Sequence, residues 1–256
     1  MIWVKEIPPG GKKLILEREK FHNFADDNPT NAHQAMPDQA KTPTPSPALE
    51  KYVKESIIPR YAFFDPAHRE DHVLTVISRS LELARHYDVD IDMVYAAASF
   101  HDTGLSAGRD THHLVSGKII REDEFLRSYF TPDRLETVAQ AAEDHRASAK
   151  TPPRSIYGKI VAEADRDIRP MKIIERTILY GLGHYPELSR EEHYQRTITH
   201  LREKYGEGGY LHLFLPESPN WENLRALRSI IADENKVREI FDGMFPAFLE
   251  KSRRKE

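Results

Sequence analysis

The chain has 256 residues, of which 30% are charged and 39% hydrophobic, the composition of an ordinary globular protein. Its formal net charge of −4 provides no general attraction to nucleic acid, so we do not expect it to bind a long nucleic acid. Because there is no cysteine, disulfides, zinc–thiolate sites and cysteine nucleophiles are excluded, and any metal must be held by histidine, aspartate or glutamate.

The first 48 residues are expected to stand apart from the main domain. Weak alternation of apolar residues over 1–23 predicts a small hairpin appendage, and the Asp-, Thr- and Pro-rich stretch 24–48 is typical of a disordered linker. No signal peptide is evident and no apolar run is long enough to span a membrane, so we expect a cytoplasmic protein. The folded domain is predicted to cover 49–256.

From residue 49 onward the hydrophobic pattern is helical, which predicts an all-α fold. The predicted helices cover 49–60, 68–88, 91–102, 112–128, a segment that begins at Thr131-Pro132, 155–168, 171–183, 190–205 and two segments between 219 and 253. Gly104 is typical of the left-handed residue that ends a helix. The apolar, glycine-interrupted loop 206–215 is interpreted either as a lid over a site or as a segment that packs into the core.

The doublet His101-Asp102 closes the predicted helix 91–102, whose small apolar residues indicate burial. A histidine beside a carboxylate in apolar surroundings is costly unless a partner compensates for the lost water, and a metal ion is the usual partner. His72 and Asp165 each lie on the apolar face of another predicted helix. Any one of these residues could simply be a hydrogen-bonded core group, but together they predict an N/O site for Mn²⁺, Fe²⁺, Co²⁺, Ni²⁺ or Mg²⁺.

The order of His72, His101-Asp102 and Asp165 resembles the HD superfamily of metal-dependent phosphohydrolases, in its small bacterial-type branch. The matching stretches are 65–73, 97–102 and 162–167, and the resemblance covers about 48–205. It implies an HD-domain helical bundle with a central divalent cation, of which Mn²⁺ is the expected one. It also implies that Asp102 serves in catalysis, and that the substrate is a nucleotide or a similar small phosphate cleaved at a phosphoester or phosphoanhydride bond.

Further site residues follow from the same resemblance. His112 and His145 would act in catalysis and hold a second metal or contact the substrate. The alternatives are a surface position for His112, with His113 competing for its role, and a cation favoured near a helix C-terminus for His145. His68 is also expected to contact the substrate, with simple placement at a helix N-terminus as the alternative. Arg109, Arg146 and Arg166 are expected to bind the substrate because they lie near the ligand segments in sequence, and ordinary solvated arginines are the alternative.

One feature departs from the resemblance. Some HD hydrolases carry an acidic pair directly after the doublet as a general acid, whereas here Thr103-Gly104 follows it and no carboxylate appears before Asp110. The pair Glu143-Asp144, next to His145, is a candidate replacement.

Two other functions are compatible with the same ligands. A di-iron oxygenase would use His112 and His145 to hold its second iron, and a helical sensor or scaffold would bind metal without catalysis. The sensor ranks lowest, because degenerate relatives of that kind usually lose ligands and this chain keeps the whole set. The sequence leaves open the substrate, the number of metals, phosphate or pyrophosphate release, and whether a homo-oligomer forms.

Overall fold

The computed structural model describes residues 42–65, 68–146 and 151–253. Over these residues the chain forms helices and their connections, with no strand, which confirms the predicted all-α fold. The predicted hairpin at 1–23 and most of the predicted linker at 24–48 lie outside the described residues. Residues 42–46 have no regular structure, and the first helix begins at Pro47. Within the described part of the chain, no helix is long and apolar enough to cross a membrane.

The α-helices are α1 Pro47–Tyr52, α2 Glu70–Ala84, α3 Ile91–Phe100, α4 His112–Glu122, α5 Glu124–Tyr129, α6 Pro132–Glu143, α7 Ile156–Asp165, α8 Pro170–His184, α9 Arg190–Tyr205, α10 Asn220–Ala232 and α11 Glu234–Arg253. A π-helical turn, Val53–Ile57, and a 3₁₀ turn, Ile58–Phe63, continue α1, and a second 3₁₀ turn, Thr103–Ala107, follows α3.

Three predicted helices differ clearly from the observed ones. The predicted helix 68–88 is shorter, Glu70–Ala84, so His68 precedes the helix. The predicted helix 112–128 is two helices, because Asp123 leaves the helical conformation with φ −69° and ψ 119° and its carboxylate accepts a hydrogen bond from the Leu126 amide. The predicted helix 49–60 keeps α-helical geometry only in its first part. Pro59 has no N–H to donate to the carbonyl four residues earlier, and the chain continues in π and 3₁₀ turns instead.

The helices pack around two hydrophobic cores. The first core joins the segment 47–63 to α2, α3, α6 and α7, and α3 is its most buried helix, since every residue from Met93 to Phe100 is buried. The second core joins α8, α9, α10 and α11. In the loop 206–215, Leu211 and Leu213 enter the second core and Leu215 enters the first, which supports core packing over a lid.

Gly104 allows the turn after α3 to lie directly against α4. A Cβ on Gly104 would lie 2.1 Å from the carbonyl oxygen of His112 and 2.6 Å from the amide nitrogen of Ser116. The Gly104 amide donates a hydrogen bond to Ser116 Oγ at 2.9 Å. Gly104 does not have a positive φ, so the predicted left-handed helix end is wrong, and the glycine is needed for close approach instead. This approach brings the start of α4 next to Asp102.

We expect Gly104→Ala to lower the free energy of unfolding by about 1–3 kcal/mol, because the new methyl group can be accommodated only by moving the backbone of α4. Chemical denaturation measures this difference. The matched control is Gly183→Ala in α8, where a Cβ meets no atom within 4 Å, so stability should be unchanged or slightly higher. Equal stability of the two variants would contradict the assignment of Gly104 to close approach.

Candidate metal centre

The predicted ligands come from five different helices and lie at or near the helix ends. His72 lies in the first turn of α2, and His101 and Asp102 directly follow α3. The remaining ligands are His112 at the start of α4, His145 just after α6 and Asp165 at the end of α7. Because α2, α3, α4, α6 and α7 pack together in one bundle, these six side chains meet although they are spread over 94 positions of sequence.

The first ligand cluster contains His72, His101, Asp102 and Asp165. His72 Nε2 lies 3.3 Å from His101 Nε2, 3.4 Å from Asp102 Oδ2 and 3.3 Å from Asp165 Oδ1. His101 Nε2 lies 3.2 Å from Asp102 Oδ2 and 3.9 Å from Asp165 Oδ1. Two imidazole nitrogens and two carboxylate oxygens, each from a separate residue, therefore converge on one small volume.

The second ligand cluster contains Asp102, His112 and His145. Asp102 Oδ1 lies 3.4 Å from His112 Nε2 and 3.4 Å from His145 Nε2, and the two histidine nitrogens are 3.1 Å apart. Asp102 therefore belongs to both clusters, with Oδ2 facing the first and Oδ1 facing the second. One carboxylate lies between two sets of nitrogen donors.

Backbone carbonyls fix the orientation of three of the histidines. The Nδ1 atoms of His101, His112 and His145 lie 2.8, 2.7 and 2.5 Å, respectively, from the carbonyl oxygen of the residue three positions earlier. A carbonyl only accepts hydrogen bonds, so Nδ1 carries the hydrogen and donates it, and the Nε2 of a neutral ring has a free lone pair. All three Nε2 atoms face Asp102, the arrangement that metal-ligating histidines require.

Asp102 is only 2% exposed and His101 is fully buried. In the described chain, the cation-forming groups within 4 Å of the Asp102 carboxylate are all histidines. Burial acts to raise the pKa of Asp102, but the charge and hydrogen bond of His101, with hydrogen bonds from His145 and His72, lower it well below its usual range. Ionised carboxylates and converging nitrogen lone pairs, without any thiolate, fit a divalent cation with N/O preference.

Without a metal, a proton on His72 partly takes the place of the cation. Burial acts to lower the pKa of His72, but its hydrogen bonds to Asp102 and Asp165 outweigh burial and raise the pKa to about 9. Burial acts to raise the pKa of Asp165, but the hydrogen bond from His72 and the charge of His101 lower it to about 2. Both shifts reflect a site that favours positive charge at its centre.

Comparison with known proteins identifies the bundle that carries these ligands. Residues 69–169 match the family model of the HD domain. This part of the chain is similar to an HD domain and is called the HD domain from here on. The match confirms the predicted resemblance, encloses all six ligands and ends just before α8. An HD domain points to metal-dependent hydrolase chemistry in general, without naming a substrate. No curated protein and no solved structure matches the chain.

Two of the predicted substrate-binding residues lie together beside the first cluster. The ring of His68, which precedes α2, lies 5.5 Å from that of His72. His68 Nδ1 lies 3.0 Å from the Asp65 carboxylate and 3.1 Å from Arg109 Nη2, and Arg109 Nη2 lies 3.2 Å from the same carboxylate. A cation and a polar ring therefore stand at the edge of the HD-domain site.

The other two predicted substrate-binding residues have hydrogen-bond partners of their own. Arg146 Nη1 donates to the carbonyl oxygen of Asp110 at 2.6 Å. Arg166 is buried, with its Nη1 3.3 Å from Glu163 Oε2 and 2.7 Å from the carbonyl oxygen of His212. Their contact with a substrate stays a prediction, and both contribute positive charge near the ligands.

The pair Glu143-Asp144 is bound to arginines and is not available as the general acid of the HD domain. Glu143 lies 2.5 Å from Arg121 Nη1 and 2.6 Å from Arg154 Nη2, and Asp144 lies 2.9 Å from Arg154 Nη2. Burial acts to raise the pKa of Glu143, but the hydrogen bonds from the two arginines lower it. An ionised carboxylate held by two guanidinium groups has no proton to donate at neutral pH.

Tyr61 is a site neighbour that the sequence did not single out. Its hydroxyl donates to the carbonyl oxygen of Ser99 at 2.9 Å and accepts from the amide of Asp102 at 3.4 Å. The tyrosine is fully buried behind the His101-Asp102 doublet, and both hydrogen bonds support the backbone there. In the sequence Tyr61 follows Pro59 by two residues and looks like any aromatic residue of a core, so no local pattern indicates its role.

We expect the protein to bind two Mn²⁺ ions per chain and His112→Ala to bind one, because the variant loses a ligand of the second cluster only. Asp102→Ala, which removes the carboxylate shared by both clusters, should lose most binding. Equilibrium dialysis with elemental analysis gives the stoichiometry.

The control is His113→Ala, the adjacent histidine, which belongs to neither cluster among the described residues. It should bind as many ions as the wild type. Equal stoichiometry in His112→Ala and the wild type would exclude the second cluster as a metal site.

Metal affinity should increase with pH. The pKa of about 9 for His72 means that the metal-free site carries a proton at neutral pH, which a metal must displace. With one proton released, the dissociation constant for Mn²⁺ should fall by about tenfold for each pH unit between pH 6 and 8. Calorimetry in buffers of different ionisation enthalpy counts the released protons, and a count of zero would contradict a protonated His72.

Proposed function

We propose that the chain is a metal-dependent phosphohydrolase that acts on a nucleotide or a similar small phosphate, with Mn²⁺ as the favoured ion. The observation that carries this proposal is the Asp102 carboxylate, which faces a separate histidine set with each oxygen inside an HD domain. Two cation positions about one buried carboxylate suit phosphate chemistry, since the substrate oxygens bring further negative charge.

Each ligand has a distinct task in this proposal. When bound, divalent cations supply a hydroxide nucleophile at neutral pH and neutralise charge on phosphoryl oxygens. Asp102 would be a ligand of both cations, and His112 and His145 would complete the ligand set of the second. Their Nδ1 hydrogen bonds to carbonyl groups keep the rings from rotating, so no reorganisation is needed during the reaction.

The basic residues around the site bind and orient the substrate. In this proposal His68 and Arg109, which lie beside His72, contact a phosphate at the edge of the first cluster. Arg146 and Arg166, whose guanidinium groups are held by backbone carbonyls, supply positive potential from fixed positions.

The second cluster also favours one alternative function, a di-iron oxygenase. Two histidines and a shared carboxylate suit iron as well as manganese. The two functions differ in what they consume, because a hydrolase needs water and a phosphate whereas an oxygenase needs molecular oxygen and ferrous iron.

We expect metal-stripped protein to release phosphate or pyrophosphate from one or more nucleotides once Mn²⁺, Mg²⁺, Co²⁺ or Fe²⁺ is restored. Asp102→Asn, which keeps the size of the side chain but removes its charge, should reduce release to the background rate. His113→Ala should keep activity near that of the wild type. The panel includes nucleoside mono-, di- and triphosphates and is assayed with and without oxygen.

Three results would separate the alternatives. Metal-dependent release that disappears in Asp102→Asn supports the phosphohydrolase. A product that forms only with iron and oxygen would instead support the oxygenase. Stoichiometric metal binding with neither activity would replace both by a sensor or scaffold.

A further inference from the structure

A cavity of about 590 Å³ lies between the end of α7 and the helices α8 and α9. Asp165, a residue of the first ligand cluster, forms part of its wall, so the cavity adjoins the candidate metal centre. Most of its remaining polar lining comes from α8 and α9, which follow the matched part of the HD domain. A volume of this size suits a small-molecule ligand, within the usual range of roughly 300–1,000 Å³.

The lining of this cavity is strongly basic. Five cationic side chains face two carboxylates there, and one of the carboxylates is the metal ligand Asp165. The cationic side chains are Arg109, Arg166, Arg176, Arg196 and Lys204. The second carboxylate, Asp167, already lies 2.6 Å from Arg169 and 3.8 Å from Arg176. Arg109 and Arg166 also pair with carboxylates outside the lining, Asp65 at 3.2 Å and Glu163 at 3.3 Å. The excess positive charge of the cavity therefore comes from Arg196 and Lys204.

Lys204 is the cation with the least compensation. Its side chain is half-buried, and among the described residues no carboxylate oxygen lies within 4 Å of its ammonium group. Burial, followed by the positive charges of Arg166 and Arg176, lowers the pKa of Lys204 below its usual range. A cation partly removed from water beside other cations is unfavourable unless an anion joins it.

Arg196 is held in place without a carboxylate partner. Its Nη1 donates to the carbonyl oxygen of Thr177 at 3.0 Å, and its guanidinium group lies 5.1 Å from the ring of Tyr180 and 5.2 Å from that of Tyr185. These contacts orient the group but leave its charge uncompensated by any carboxylate within 4 Å in the described chain. A pre-oriented guanidinium that lines the same cavity as Lys204 is well suited to an anion with several phosphate oxygens.

We propose that this cavity binds a phosphate group of the substrate other than the one that is hydrolysed, through Lys204 and Arg196. The substrate is then a small molecule with at least two phosphate groups, one at the metal centre and another against α8 and α9. This inference rests on the proposed function for the reacting phosphate, while anion binding by the cavity can be tested without any reaction.

The first test measures binding of inorganic triphosphate to metal-stripped protein by calorimetry. Lys204→Gln should weaken binding by about tenfold, because a charge-assisted contact in a half-buried site is lost. Lys204→Arg, which keeps the charge, should stay close to the wild type. The matched control is Lys172→Gln, which removes an exposed lysine of α8 that is paired with Glu175 at 2.9 Å and does not line the cavity.

Thermal unfolding of the same variants separates a binding role from a structural one. Lys204→Gln should unfold close to the wild-type temperature, since among the described residues the Lys204 ammonium has no carboxylate within 4 Å and contacts only the ring of Tyr205, at 5.2 Å. Triphosphate should raise the unfolding temperature of the wild type more than that of Lys204→Gln. Absence of triphosphate binding by the wild type, or equal binding by Lys204→Gln, would overturn the proposal.

The second test uses the Mn²⁺-loaded protein and the nucleotides that it hydrolyses. Lys204→Gln should raise KM for di- and triphosphates with little change in kcat, and should leave any monophosphate reaction unchanged. If the protein hydrolyses only monophosphates, and Lys204→Gln hydrolyses them as fast as the wild type, the inference is refuted while the proposed function stands. Lys204-dependent triphosphate binding without hydrolysis under any metal would refute the proposed function while the anion site stands.

Discussion

The buried carboxylate of Asp102 is the constraint on which the rest of the site depends. A carboxylate that is 2% exposed must be compensated by nearby positive charge or by several hydrogen bonds, or it takes up a proton. The described chain brings no lysine or arginine within 4 Å of it and surrounds it with histidine Nε2 atoms instead. This arrangement is favourable only when a cation or protons supply the missing charge, so metal binding and the stability of the bundle centre are linked.

Backbone carbonyls at the helix C-termini orient two of the candidate ligands. The last carbonyls of a helix have no intrahelical partner. Those of Ala98 in α3 and Ala142 in α6 accept the Nδ1 hydrogens of His101 and His145, which directly follow these helices. One contact therefore satisfies a buried carbonyl and points Nε2 toward Asp102. Because the polar side chains lie at helix ends, they can pair with these free carbonyls. A polar centre can therefore exist inside a tightly packed bundle.

Much of this arrangement could be predicted from residue order and periodicity. The apolar stripes locate the helices, and a buried polar doublet such as His101-Asp102 calls for a partner that the composition limits to N/O chemistry. The six candidate ligands lie on helices whose mutual packing the sequence implies only through the family resemblance. Their convergence to within about 4 Å of a neighbour is what the structure adds.

Other features could not be predicted, because they depend on contacts between distant segments. Gly104 looks like a helix terminator, and only the approach of α4 shows that a Cβ has no room there. Glu143 looks free in sequence, but Arg121 and Arg154 reach it from other parts of the bundle. Lys204 looks like one solvated helix residue among many in the sequence, and only the fold shows that it lines a cavity together with Arg166 and Arg176.

The segments that follow the HD domain also help to position the candidate metal ligand Asp165. Its neighbour Glu163 is buried, and its Oε2 accepts a hydrogen bond from the Phe214 amide at 3.1 Å. The side chain of Asn220 donates to the carbonyl oxygens of Glu163 and Arg166 at 3.0 and 3.2 Å. The backbone on both sides of Asp165 is thus held by the loop 206–215 and by the start of α10.

This attachment connects the two parts of the proposed site. The residue that closes the first ligand cluster is also the residue at which the basic cavity begins. The backbone beside Asp165 is held by the loop between α9 and α10 and by the start of α10. A change in the packing of the C-terminal helices would therefore shift a candidate metal ligand as well as the cavity wall. The HD domain supplies the candidate metal centre, and the C-terminal segments hold the backbone beside one candidate ligand, Asp165, and contribute most of the cations of the adjoining cavity.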